Sequence, residues 1–239
     1  MSFCKDNVNV PEGFSCEGES NFFDIGDAIN LTGSVTGNNN KIVIRNTANS
    51  KPRNIQLIMS GDGNEISIQK LGRVKGLIIR VGSNLPANNT FLEIAPGFTN
   101  EGGNRFLLFN SGNVLKIGRD CLFSKNITIR CGDQPHLLFD RTTGEYLDIS
   151  EGVFIGNRVW VGEEVYITKR ATVPSHCLVG ARSVVTKRFE NEYCAIAGNP
   201  SKVVRENVEW IRNISLLEDK SEYKKSFYKY YDSFEGQQP

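Results

Sequence analysis

Residues 155–190 read IGNRVW, VGEEVY, ITKRAT, VPSHCL, VGARSV, VTKRFE, six consecutive hexapeptides each headed by Ile or Val. An aliphatic every sixth position, with Val159, Val165, Ala171, Cys177 or Ser183 four residues after it, fits neither the 3.6-residue period of a helix nor the two-residue period of a strand. It fits a parallel β-helix built from hexapeptides, each one short strand and a corner. The aliphatic heads point inward and stack on their equivalents in the next coil, at the inter-strand spacing of about 4.8 Å. Three hexapeptides close a triangular coil, so this block predicts two coils.

The rhythm continues upstream with IGDAIN from Ile25, LTGSVT from Leu31, IGRDCL from Ile117, FSKNIT from Phe123 and IRCGDQ from Ile129. Between these lies a slower recurrence: GNNNKIVI at 37–44, GDGNEISI at 61–68, ANNTFLEI at 87–94 and SGNVLKI at 111–117. Its longer period predicts one extra loop in each of these coils. The Asn and Gly residues suit corners, because both tolerate left-handed backbone angles. Over 134–152 the phase is lost in QPHLLFDRTTGEYLDISEG, an excursion of a length that points to function or disorder. After Pro200, Val208, Ile211 and Ile214 are spaced three apart and predict a helix around Trp210, a polar-faced cap for the open end of a solenoid. The expected organisation is a lead-in over 1–24, a β-helix over 25–200 and a helical segment over 201–239.

Composition narrows the function. The chain of 239 residues carries 28 Lys and Arg against 27 acidic residues, a net charge of +1. It therefore offers no broad field for nucleic acid or an anionic membrane. No apolar run resembles a signal peptide or a membrane span, so the expected location is cytoplasmic. Cysteines 4, 16, 121, 131, 177 and 194 form neither a C-x-x-C pair nor a disulfide scaffold, and Cys177 reads as a small hydrophobe of the coil interior. A metal site of the kind found in gamma-type carbonic anhydrases needs three histidines, and the chain has two.

HLLFD at 136–140, VW at 159–160, VGARSVVTK at 179–187 and AGNPSKVVREN at 197–207 stand in an order that resembles the hexapeptide-repeat O-acetyltransferases of the xenobiotic, galactoside and maltose group. The likeness is greatest to bacterial capsule and lipopolysaccharide O-acetyltransferases, including those acting on polysialic acid, and covers residues 115–210. It implies a left-handed parallel β-helix, acetyl-CoA as donor, a carbohydrate hydroxyl as acceptor, and a homotrimer with its active sites between subunits. His136 stands where the family places its catalytic base, and an imidazole can take a hydroxyl proton near neutral pH. Trp160 stands where the family has an indole lining the active site, flat and water-excluding. The resemblance places the coenzyme contacts on Trp160, Ala181, Thr186, Lys187, Lys202 and Arg205, with the cations expected to face the phosphates.

Three departures matter. The family's Asp-x-His spacing becomes Asp133, two residues, then His136, so Asp133 is expected either to orient the imidazole or to cap the corner, the corner being the favoured role. Glu163 replaces a small residue of the galactoside group, and that contact is not carried over. His176 falls on an outward corner and receives no role. The alternatives are an N-acetyltransferase for an amino sugar and a non-catalytic β-helix scaffold. Against the first, residues 1–110 show Asn-rich β pattern where such enzymes often carry a glycine-rich nucleotide-binding unit.

Overall fold

A computed structural model of the chain describes residues 7–46, 51–149, 152–218 and 221–235. Cys4, and Ser150 and Glu151 of the excursion, lie outside the described residues. Up to Val208 the chain forms one unit, and residues from Glu209 onward form another.

The hexapeptide heads decide the first unit. Ile155, Val161, Ile167, Val173, Val179 and Val185 are at most 4% exposed, and Val159, Val165, Ala171, Cys177 and Ser183 are buried beside them. Each buried aliphatic contributes about 1.5–3 kcal/mol relative to exposure, which is why the register is unambiguous. Ile155 pairs with Val173, Val161 with Val179 and Ile167 with Val185, all parallel. Successive heads lie on successive faces, and the architecture is a left-handed parallel β-helix.

Three faces result among the described residues, parallel throughout except for the antiparallel pair Ala195–Gly198 and Ser201–Arg205. Face 1 holds eight strands, from Ser15–Glu17 to Val184–Val185. Face 2 holds seven, from Phe22–Ile25 to Thr172–Val173. Face 3 holds six and starts only at Thr99–Asn100, ending at Ser201–Arg205. In the regular coils the chain runs face 2, face 3, face 1, and turns from face 1 back to face 2 at one edge, the 1/2 edge.

Two sequence expectations are corrected here. The stack does not begin near residue 25: Ser15–Glu17 already pairs with face 1, and Val8 bridges to Phe22. This lead-in was hidden because its inward residues, Phe14 and Phe23, are aromatic and break the Ile/Val signature. Nor does the longer upstream repeat come from an added loop alone. Ile29–Thr36 and Arg53–Ser60 are eight-residue strands paired along their whole length, so much of the extra chain is strand. Where the coil acquires its third face, Phe98, Phe106 and Phe123 meet edge to face at 5.0–6.2 Å and fill the widened interior.

The second unit holds a 3₁₀ turn at Ile214–Leu216, capped by the Asn213 side chain accepting from Ser215 N–H, and a helix at Glu222–Glu235. The helix expected around Trp210 is not formed there. Val208, Ile211 and Ile214 are β-branched and stand among Asn207 and Asn213, all poor helix formers, and Asn207 sits at a left-handed φ of 54°. Lys202 and Arg205, expected in a helical segment, lie instead on the last strand of face 3.

Candidate active site

The excursion leaves face 1 after Arg130 and rejoins face 2 at Val153, so it grows from the 1/2 edge. Its described residues form a hairpin around the tip at 140–145. Phe139 and Tyr146 form an antiparallel bridge with their rings 5.4 Å apart. At its tip Asp140 Oδ1 accepts the Thr142 and Thr143 N–H groups at 2.8 and 2.7 Å. The Thr143 N–H, with that of Thr142, holds the Asp140 carboxyl below the usual carboxylate range.

Its stem is clamped from three sides. Arg130 donates from Nε to Gly132 O at 2.9 Å and from Nη2 to the Asp133 and Gln134 carbonyls at 3.1 Å each. The same guanidinium rests 5.0 Å from the Phe109 ring centroid. Asn110, buried one coil earlier, accepts Gln134 N–H at 3.2 Å and donates to Asp148 Oδ2 at 2.5 Å. Gly132 is required beside it, since a Cβ there would lie 2.0 Å from Asn110 Oδ1. Lys169, one coil later, donates to Asp133 Oδ2 and Asp148 Oδ1, both at 2.6 Å.

His136 stands at the top of this stem, its N–H donating to Asp133 O at 3.3 Å and its side chain exposed. Asp133 is thus tied to Lys169 by its carboxylate and to His136 by its backbone. Cys131, close in sequence to His136, is no nucleophile: burial pushes its thiol up to about 12, which leaves it protonated and a packing group.

Trp160 opens a strand of face 3 and points outward, 36% exposed, with Nε1 3.4 Å from Ser124 Oγ. It belongs to an outward row, Leu122, Trp160, Leu178, Ala195 and Arg205, set by the strand register. Three strand spacings of about 4.8 Å separate Trp160 from Arg205 along this row. Lys202 lies on the same final strand, opposite Ala197. Ala181 follows face 3 at its edge with face 1, packed so closely over Gly162 that a Cβ on Gly162 would meet Ala181 N at 2.6 Å. Thr186 and Lys187 occupy the 1/2 edge two rungs beyond the loop root, about 10 Å along the axis.

The sequence-derived candidates therefore fall into separate groups. His136, Thr186 and Lys187 share the 1/2 edge, Trp160, Lys202 and Arg205 share face 3, and Ala181 lies at the edge between faces 3 and 1. In a triangular coil the 1/2 edge is opposite face 3, so one chain does not bring His136 and Trp160 together. The stem residues Asn110, Asp148 and Lys169 carried no sequence signal, because their partners lie up to 38 residues away.

No protein-family model matches the chain. A polysialic acid O-acetyltransferase of Neisseria meningitidis is 30% identical over 187 residues, covering 76% of this chain and 80% of that protein. The chain belongs to this family of O-acetyltransferases. Another polysialic acid O-acetyltransferase, from Escherichia coli O1:K1 / APEC, is 31% identical over 147 residues. The match takes in 62% of this chain but 45% of that relative, so this member of the family spans about half the E. coli protein's length. The crystal structure of the polysialic-acid-specific acetyltransferase NeuO superposes on it with a TM-score of 0.71 at 25% identity, covering 92% of this chain and 100% of that one. The family likeness thus extends through the N-terminal coils, upstream of the motifs that first disclosed it.

Proposed function

We propose that the chain transfers acetyl from acetyl-CoA to a hydroxyl of a bacterial surface polysaccharide, with His136 as general base. The single observation that carries this reading is the exposed imidazole on a stem clamped at the 1/2 edge, with the indole of Trp160 on the face opposite. Such a site is completed when a second copy lays its face 3 against that edge, and a closed ring of three copies completes three sites. Leu137, Leu138, Phe139 and Ile149 are each more than half exposed on the excursion, an apolar surface of the kind a neighbouring subunit covers.

In this reading His136 accepts the hydroxyl proton as the sugar oxygen attacks the thioester carbonyl, and returns a proton to the departing coenzyme A sulfur. The base contributes about 10²–10⁴ in rate, and positioning supplies much of the rest. The donor residues fit the ligand. Lys187, Lys202 and Arg205 are exposed cations suited to phosphates, Ala181 leaves room at a close-packed edge, and Trp160 gives the pantetheine an apolar wall. We place the reaction in the cytoplasm. Among the described residues, no helix is long and apolar enough to cross a membrane.

The test is incubation with acetyl-CoA and a panel of capsular and O-antigen glycans, followed by mass spectrometry and mild alkali. The expected product gains the mass of one acetyl group and loses it in alkali, as an ester does. An alkali-stable product overturns O-transfer in favour of an amino-sugar acceptor, and the absence of transfer across the panel overturns the proposed acceptor class.

A further inference from the structure

Lys169 joins the two halves of the excursion's stem. It lies in the hexapeptide ITKRAT, on the 1/2 edge one rung beyond the loop root, and reaches back to Asp133 on the outgoing limb and Asp148 on the returning one. Asp148 is 1% exposed and Lys169 20%, so that pair is largely withdrawn from water, whereas Asp133 is 41% exposed. Burial opposes charge on Lys169, but its two carboxylate partners outweigh it and raise the ammonium above the usual lysine value. With both carboxylates engaged, this ammonium is neutralised and is not a free cation for the donor's phosphates. Its neighbour Arg170 adds a second tie, donating to Leu147 O at 3.0 Å. The path from Lys169 to the imidazole has two links: ammonium to Asp133 carboxylate, then Asp133 carbonyl to the His136 N–H.

We propose that Lys169 is a positioning residue for acyl transfer, fixing the height and direction at which His136 meets the acceptor hydroxyl. The inference rests on the reading of His136 as the base. A misplacement of about 1 Å can cost about 10²-fold in rate without any loss of binding residues, and a stem held on one side only would permit such a shift.

The experiment uses the full chain as Lys169→Met, Lys169→Arg and Asp133→Asn, alone and in a His136→Ala background. Asp133→Asn leaves the buried Lys169–Asp148 pair in place, which keeps the test valid if Lys169→Met does not fold. Between Cys131 and Gly152 the only Lys or Arg is Arg141, exposed on the loop, so trypsin cleavage after Arg141 reports stem order independently of catalysis. Lys169→Met should be cut there faster than wild type and lose kcat by about 10- to 100-fold, with the KM for acetyl-CoA within about twofold. Asp133→Asn should move both readouts in the same direction, and Lys169→Arg should restore most of the rate. In the His136→Ala background neither variant should lower the residual rate further, because a residue acting through His136 has nothing left to position.

Wild-type cleavage and kcat in Lys169→Met or Asp133→Asn would overturn the inference, as would a further fall in the His136→Ala background. If the wild type acetylates nothing, the functional reading fails first, while the cleavage rate still decides whether Lys169 holds the loop.

Discussion

A chain whose proposed base and indole stand on an edge and on the face opposite makes a quantitative prediction about mixed assemblies. His136→Ala and Trp160→Ala chains, each with a different tag, are co-expressed, and rings containing both are isolated by successive affinity steps. A site built across a subunit boundary takes its imidazole from one copy and its indole from the next. It is whole only where a Trp160→Ala chain supplies the former and a His136→Ala chain the latter. In a closed ring of three, either mixed composition has that junction once, so about one third of the sites are intact. Loss of the base costs about 10²–10⁴ in rate. Mixed rings should therefore turn over roughly 30-fold or more above the His136→Ala ring, and should also exceed the Trp160→Ala ring. The assay is acetyl release from acetyl-CoA in the presence of acceptor, per mole of chain. If the two residues worked within one chain, mixing would create no whole site, and the mixed rings would show only the mean of the two parents. That result would refute the inference drawn from the 1/2 edge and face 3.

His136→Ala should lower transfer by about 10²–10⁴-fold while calorimetry finds acetyl-CoA affinity unchanged, since the proposed donor contacts fall on other residues. Asn110→Ala removes partners from Gln134 N–H and Asp148 Oδ2 and should lower stability by about 1–3 kcal/mol, read as a lower urea midpoint with an unchanged slope. Burial works to raise the Asp148 carboxyl, but Lys169, the Asp133 N–H and Asn110 outweigh it and hold it below the usual carboxylate range. A depressed folded value stabilises above the unfolded value of about 3.9 and loses that contribution as pH falls through the lower one. The melting temperature should accordingly drop in acid, and Asp148→Asn should show a shallower drop. The raised Lys169 has the opposite sign, stabilising below about 10.4 and fading as pH rises beyond it.

What could be read in the sequence was whatever the backbone period imposes. From Ile155 to Glu190 each buried position recurs every six residues, so one aliphatic pattern fixed face, register and coil number together. The excursion was visible as the loss of that pattern. Its stem was not, because Asn110, Asp148 and Lys169 obey no period, and what makes them partners is the stacking of coils on one edge. Asp133 shows the limit most sharply. As a turn residue near a histidine it was expected to cap the corner or orient the imidazole, and only the rung above, carrying Lys169, shows its carboxylate engaged in an ion pair. The helix expected at Trp210 failed for a related reason: spacing of three at three β-branched residues gives a stripe without the propensity to form the helix that would display it.

The asparagine-rich corners have a consequence for the site beyond the turns they make. Asn38 Oδ1 accepts Glu19 N–H, Asp62 Oδ1 accepts Asn38 N–H, Asn88 Oδ1 accepts Asp62 N–H, and Ser111 Oγ accepts Asn88 N–H, at 2.7–3.0 Å. A buried ladder runs beside it, in which Asn40 donates to Asn21, Asn64 to Asn40 and Thr90 to Asn64. Both climb the 1/2 edge toward the segment that holds Asn110 and Asn113, and Asn113 donates on to Cys131 O at the start of the excursion. Each rung adds side-chain hydrogen bonds parallel to the backbone ladder, in an interior where leaving one unmade is costly. The edge that carries His136 is therefore the most heavily cross-bonded line described along the N-terminal coils. In the proposed function, a base at His136 whose effect depends on sub-ångström placement would gain from such a foundation, and the upstream coils, which contribute none of the candidate catalytic side chains, would act on the reaction by stiffening that edge.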